Sequence, residues 1–97
     1  MNKKILYQAN QNYIMRKIAG EEVLVAIGAG VADFSGYIRM NTTASAIWKL
    51  LQEKVSEEQI INAMYEKYDA SLEQITADVQ GTLKALISKK MVTVHGE

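Results

Sequence analysis

Residues 36–51 read Gly36-Tyr37-Ile38-Arg39-Met40-Asn41-Thr42-Thr43-Ala44-Ser45-Ala46-Ile47-Trp48-Lys49-Leu50-Leu51, and the period of their apolar positions changes part-way along. Up to Met40 the period is two: Ile38 and Met40 share one face of a short strand and Tyr37 and Arg39 the other. Beyond Asn41 it becomes helical, because Ala44, Ile47, Trp48 and Leu51 fall at i, i+3, i+4 and i+7, with Leu50 widening the stripe. Asn41 and Thr42 carry the short oxygen-bearing side chains that cap a helix N-terminus, so the helix starts there and its pattern runs to Glu53 or Lys54. A strand that feeds straight into an amphipathic helix predicts a mixed fold, with a sheet before this point and helices after it.

On the N-terminal side, Tyr13-Ile14-Met15-Arg16-Lys17-Ile18 is a β-rich run, followed by the turn-prone Ala19-Gly20. The next run, Glu22 to Ile27, puts Val23, Val25 and Ile27 on one face, so the two runs read as a hairpin. The stretch from Gly28 to Gly36, punctuated by Gly28, Gly30 and Gly36, then reads as a loop leading to the strand at Tyr37–Met40. On the C-terminal side, Ser56 with Gln59 forms a capping box and Val55 with Ile60 a hydrophobic staple, which starts a second helix at Glu57. That helix carries Ile61, Met64, Tyr65 and Tyr68 and breaks at Asp69-Ala70. Ser71 with Gln74 repeats the box, and Ala70 with Ile75 gives a weaker staple. The third helix aligns Leu72, Ile75, Val79, Leu83, Leu86 and Ile87 and ends at Lys89 or Lys90, where lysines favour the negative end of the helix dipole. Met91-Val92-Thr93-Val94-His95 alternates, either as a short C-terminal strand or as a segment laid along the sheet. The expected fold class is α+β and winged helix-turn-helix-like: a three-stranded antiparallel sheet, then three helices and that short last segment.

With 97 residues, the chain is expected to form a single domain over residues 1–97, with its core at about 13–94. No residue is cysteine, which excludes disulfides, thiolate metal ligands and thiol nucleophiles. The single histidine, His95, cannot by itself assemble a His-rich metal site or a nucleophile–base unit, so neither catalysis nor a cofactor is expected. Ile5-Leu6-Tyr7-Gln8-Ala9-Asn10 is too short and polar for the apolar segment of a signal peptide. No run approaches the ~18–20 apolar residues of a membrane span. A cytoplasmic, soluble protein without membrane partners is the expectation.

Several constellations weigh towards plain structure. Gly28-Ala29-Gly30 follows a strand but leads to another strand, lacks Gly-Lys-Ser/Thr and has no third glycine at dinucleotide spacing, so it reads as a connection rather than a phosphate cradle. Glu21-Glu22 and Glu57-Glu58 are sequence neighbours and do not share a face; the second pair also lies in a first helical turn, where the dipole stabilises acids. Trp48 reads as core, Tyr65 and Tyr68 as core and rim, and His95 as a tail residue. A winged helix suggests DNA, but residues 40–97 hold six lysines against eight acids, and no arginine lies beyond Arg39. The third helix opens with Glu73 and reaches Asp78, so its first turns would present acids to phosphates, and nucleic acid is not an expected partner.

The strand with Asn41, Ala44, Ile47-Trp48 and Leu50-Leu51, followed by Ser56-Glu57-Glu58-Gln59-Ile60 and by Asp78-Val79 with Leu83 and Leu86 before Met91-Val92, resembles the PqqD family from about Tyr13 to Val94. The chain departs from the family pattern at Lys90, where a glycine is usual. The resemblance implies a peptide-recognition domain of the ribosomally made, post-translationally modified peptide pathways. Such a domain holds the leader of a precursor peptide and presents it to a modifying enzyme, typically a radical S-adenosylmethionine protein. The founding member serves pyrroloquinoline quinone biosynthesis, and relatives serve other peptides.

The residues give that role a physical form. A small sheet leaves an edge whose unpaired N–H and C=O groups can take up a further strand, while an adjacent helix supplies pockets for alternate side chains. The expected peptide-binding residues are Gly36, Tyr37, Ile38 and Arg39 on the edge strand. On the third helix Asp78, Thr82, Ala85 and Lys89, at i, i+4, i+7 and i+11, form a mixed stripe beside the apolar one. Ordering a bound segment costs ~2–5 kcal/mol, so micromolar affinity, about −8 kcal/mol, is expected. The competing readings are a structural subunit of an enzyme complex without its own peptide, a winged-helix DNA binder, and a homodimer formed through the open edge.

Overall fold

The computed structural model describes residues 4–28 and 36–96. The interior of the glycine loop, residues 29–35, lies outside them. The described chain runs β1 (Ile5–Ala9), β2 (Tyr13–Ile18), β3 (Glu21–Ala26), β4 (Tyr37–Arg39), α1 (Thr42–Leu50), α2 (Glu57–Lys67), α3 (Leu72–Ser88) and β5 (Val92–Gly96). Strands β2-β3-β4 form an antiparallel three-stranded sheet and β1-β5 a separate antiparallel pair. The α+β class, the three-stranded sheet and the order of the helices agree with the sequence-based expectation.

Local chemistry accounts for most boundaries. Ala19 and Gly20 both have positive φ, 52° and 82°, the geometry of a two-residue hairpin turn whose twist matches the flanking strands. That turn sets Ile18 opposite Glu21 and carries the register on to Tyr13 opposite Ala26. The Asn41 side chain accepts from the Ala44 amide at 2.8 Å, capping α1. At α2 the full capping box forms: the Gln59 amide donates to Ser56 Oγ and the Ser56 amide to Gln59 Oε1. At α3 only half of the expected box is present. Ser71 Oγ accepts from the Gln74 amide, but the Gln74 side chain turns along the helix and donates to Asp78 Oδ1 at 2.9 Å.

The C-terminus of α3 explains the usual glycine at position 90. Lys90 adopts a left-handed φ of 62°; its amide donates to Ile87 O and that of Met91 to Leu86 O, the paired bonds that close a helix when the residue after the cap turns left-handed. Met91 and Leu86 are both buried, completing the motif with an apolar contact. The Asn10 side chain adds a bond to Lys90 O at 2.9 Å. Lys90 thus holds a glycine's conformation with a Cβ in place. Lys90→Gly is expected to stabilise the protein by about 0.5–1 kcal/mol in urea unfolding, and a loss of stability would contradict this reading.

Three expectations are corrected, on the pair Tyr65 and Tyr68, the end of α1 and the place of His95. Tyr65, read as core, is 50% exposed, while Tyr68, read as rim, packs partly buried on the core. The sequence leaves open which face of β3 meets the helices. The core face of β3 is that of Leu24, which is fully buried among the helices; Val23 and Val25 lie on the other face, where Val23 is buried outside the main core and Ile27 beyond them is exposed. Helix α1 ends at Leu50, not at Glu53 or Lys54, because the next residues are bonded elsewhere: Leu51 O accepts from the Ala9 amide, and Val55 exchanges both backbone bonds with Tyr7 at 2.7 and 3.0 Å. His95 is a strand residue opposite Leu6, half-buried, with Nε2 unpartnered among the described residues. The strand β1 was not legible in the sequence; it ties the chain's start to β5 and brackets the α1–α2 link.

The core gathers Leu24, Ile47, Trp48, Leu51, Ile60, Met64, Val79 and Met91, so all three helices, the sheet and the residue before β5 share it. Among the described residues no helix is long and apolar enough to cross a membrane.

Candidate functional site

Among the described residues β4 pairs with β3 alone, which leaves its other side open. Its backbone orientation follows from one bond. The Met40 amide donates to Glu22 O at 2.9 Å, and antiparallel alternation then turns the amide and carbonyl of Ile38 towards Leu24 of β3. The N–H and C=O groups of Tyr37 and Arg39 point to the open side, giving four backbone groups in register that have no partner among the described residues. Side chains alternate independently of this. Ile38 packs on the core, whereas Tyr37 is 50% exposed on the opposite face.

The open side of β4 borders a groove of about 280 Å³ whose far wall is α3. Five expected site residues meet in it: Ile38 and Arg39 from the strand, Thr82, Ala85 and Lys89 from the helix. Gly36, Tyr37 and Asp78 do not line it. Gly36 precedes β4 with φ of 111°, a conformation a side chain would strain, and so sets the strand's entry. Met40, Asn41, Ala44, Gly81 and Leu86 also line the groove and were not expected as peptide contacts from the sequence. Ala44 and Gly81 are the informative omissions. Two small residues facing each other from α1 and α3 leave the space, and their size was the available signal.

Asp78 lines a second cavity of about 240 Å³, reached one helical turn along α3, with Thr43 and Asp69 also at its wall and Met64, Ile75 and Val79 beneath. Asp78 is half-buried and its Oδ1 is held by Gln74. Near β4, Arg39 Nε lies 3.3 Å from Glu21 Oε2 with both side chains largely exposed, an ion pair contributing only about 0–1 kcal/mol. The groove lining offers backbone donors and acceptors, small side chains and two cations, Arg39 and Lys89; among the described residues no group of acids and histidines could hold a metal ion.

Residues 12–92 match the family described as coenzyme PQQ synthesis protein D (PqqD). The chain belongs to the PqqD family. The resemblance read from the sequence is thereby borne out, and the match begins one residue before β2 and reaches the first residue of β5, so it takes in the three-stranded sheet and the three described helices. The β1 strand lies outside the PqqD match. No curated protein matches the chain. Among solved structures, TbiB1 in complex with the TbiA(beta) leader peptide is similar, with a TM-score of 0.69 and 25% identity over 88% of this chain and 93% of that one.

Proposed function

We propose that this protein is a non-catalytic peptide-binding domain: it captures the leader of a ribosomally made precursor peptide as an added strand on β4 and presents it to a modifying enzyme, of the radical S-adenosylmethionine type. The observation that carries the reading is the row of outward backbone groups at Tyr37 and Arg39 beside a groove walled by α3. Strand addition needs both. The backbone row supplies affinity for any extended segment, and the pockets select alternate side chains. The family and the likeness to a protein solved with a leader peptide support the same role. The proposed contacts are Gly36, Tyr37, Ile38 and Arg39 on the strand side and Asp78, Thr82, Ala85 and Lys89 on the helix side.

Titration of a candidate leader into isotope-labelled protein is expected to move resonances of residues 36–40 and 78–89 and few others. Shifts confined elsewhere, or none, would favour a structural subunit without a peptide of its own. Two substitutions separate folding from binding. Ile38→Asp sets a carboxylate against Leu24 and should unfold the domain, since an unpaired buried charge costs several kcal/mol. Arg39→Glu loses an exposed ion pair and sets a second solvent-screened carboxylate near Glu21, so it should stay folded and bind the leader several-fold more weakly; unchanged affinity would remove Arg39 from the site. Concentration-dependent sedimentation tests the homodimer reading.

A further inference from the structure

We infer that the guest strand is charge-polarised, carrying a basic side chain near its N-terminal end and an acidic one four or six residues later. This rests on the strand-addition reading above and deepens it. The groove and the Asp78 cavity are neighbours along α3: Thr82, one turn from Asp78, lines the first, and Ala44 and Thr43 are consecutive residues on the facing wall. A guest lying along β4 therefore runs from one space to the other. The two ends differ in charge.

At one end Asp78 holds a single bond from Gln74, so its second oxygen has no partner among the described residues, and exposed Asp69 shares the cavity. The buried floor of Met64, Ile75 and Val79 beneath these carboxylates suits the aliphatic stem of a lysine or arginine whose charged tip reaches the rim. At the other end stands exposed Lys89, without an ion pair among the described residues. Arg39, which lines the same groove as Lys89, is offset by Glu21 at 3.3 Å and adds little net charge there.

Direction follows from the chain path. β4 leads through Asn41 to Thr43, which lines the acidic cavity, so β4 advances towards the Asp78 end. Every described strand pair in this protein is antiparallel, the more stable pairing per residue, and an antiparallel guest enters at the acidic end and leaves at Lys89. Lys89, the C-cap, lies eleven positions after Asp78, about 16 Å along the helix axis. A strand spans that distance in about five residues, and side chains on the face turned to α3 recur every second residue, hence a spacing of four or six.

The test uses two synthetic nine-residue peptides of identical composition, threonine and valine alternating, with lysine second and glutamate eighth in one and the two exchanged in the other. Titrated into the full labelled chain at low salt, the lysine-first peptide is expected to bind about tenfold more tightly, the gap closing as salt screens both contacts. The double exchange Asp78→Lys with Lys89→Glu should reverse the preference. Equal affinities, or preference for the glutamate-first peptide, would overturn the polarity while leaving strand addition standing. Binding of neither peptide up to millimolar concentration would contradict strand addition itself. Should the double variant fail to fold, the comparison of the two peptides on the unaltered protein decides alone.

Discussion

Trp48→Ala is expected to cost about 3–5 kcal/mol in urea unfolding, the penalty of emptying a large aromatic site in a close-packed interior. Trp48 is 3% exposed and shares the core with Ile47, Leu51 and Tyr13. A domain of 97 residues has a total stability of about 5–15 kcal/mol, so the variant should be partly unfolded at room temperature or close to it. The mechanism is specific to where α1 sits. The helix packs against both α2 and α3, and Trp48 borders Tyr13 and Met15 of β2, so the void would open where helices and sheet meet and little can collapse into it. A loss below about 1 kcal/mol would place the ring outside the core and dissolve the strand-to-helix reading from which the fold was built.

The second large effect concerns binding alone. Arg39→Pro removes an amide that faces the open side of β4, so the ladder to β3 is untouched, and proline is tolerated on an edge strand when its missing N–H faces outward. Ile38, the preceding residue, is already extended, as proline requires. A guest strand would lose one backbone bond and meet the ring, leaving an acceptor unpaired at a cost of about 1–3 kcal/mol, which weakens leader binding about tenfold to hundredfold. Arg39→Ala is the control, since it deletes the same side chain but keeps the amide. The expected pattern is a folded proline variant that binds poorly and an alanine variant that binds far better. Equal binding by the two would mean that the backbone of β4 makes no contact with the guest.

What the sequence made legible was local. The Ala19-Gly20 turn, the box at Ser56 and the change of period at Asn41 are interactions between residues a few positions apart, and each reads directly from spacing. What it hid depended on distant partners. Ile5–Ala9 becomes a strand because residues 92–96 and 55 pair with it, and no periodicity within five mixed residues announces that. The same pairing ends α1 at Leu50, although the apolar stripe continues to Leu51. Val23 and Leu24 are both buried, so alternation could not name the face of β3 turned to the helices. Of the α3 stripe, Thr82, Ala85 and Lys89 line the groove beside β4, whereas Asp78, one turn earlier, lines the adjoining cavity with Thr43 and Asp69. The groove's depth comes from residues that are small rather than reactive, and smallness carries no motif.

The claim on which the account turns is that a guest polypeptide completes the sheet at β4 through its backbone. N-methylation of successive amides along a bound leader tests it directly, because each methyl deletes one donor without changing a side chain. Affinity losses are expected at every second position across the segment facing Tyr37 to Arg39, with the intervening positions nearly silent. Losses that track particular side chains instead of alternating, or a leader indifferent to methylation throughout, would contradict it.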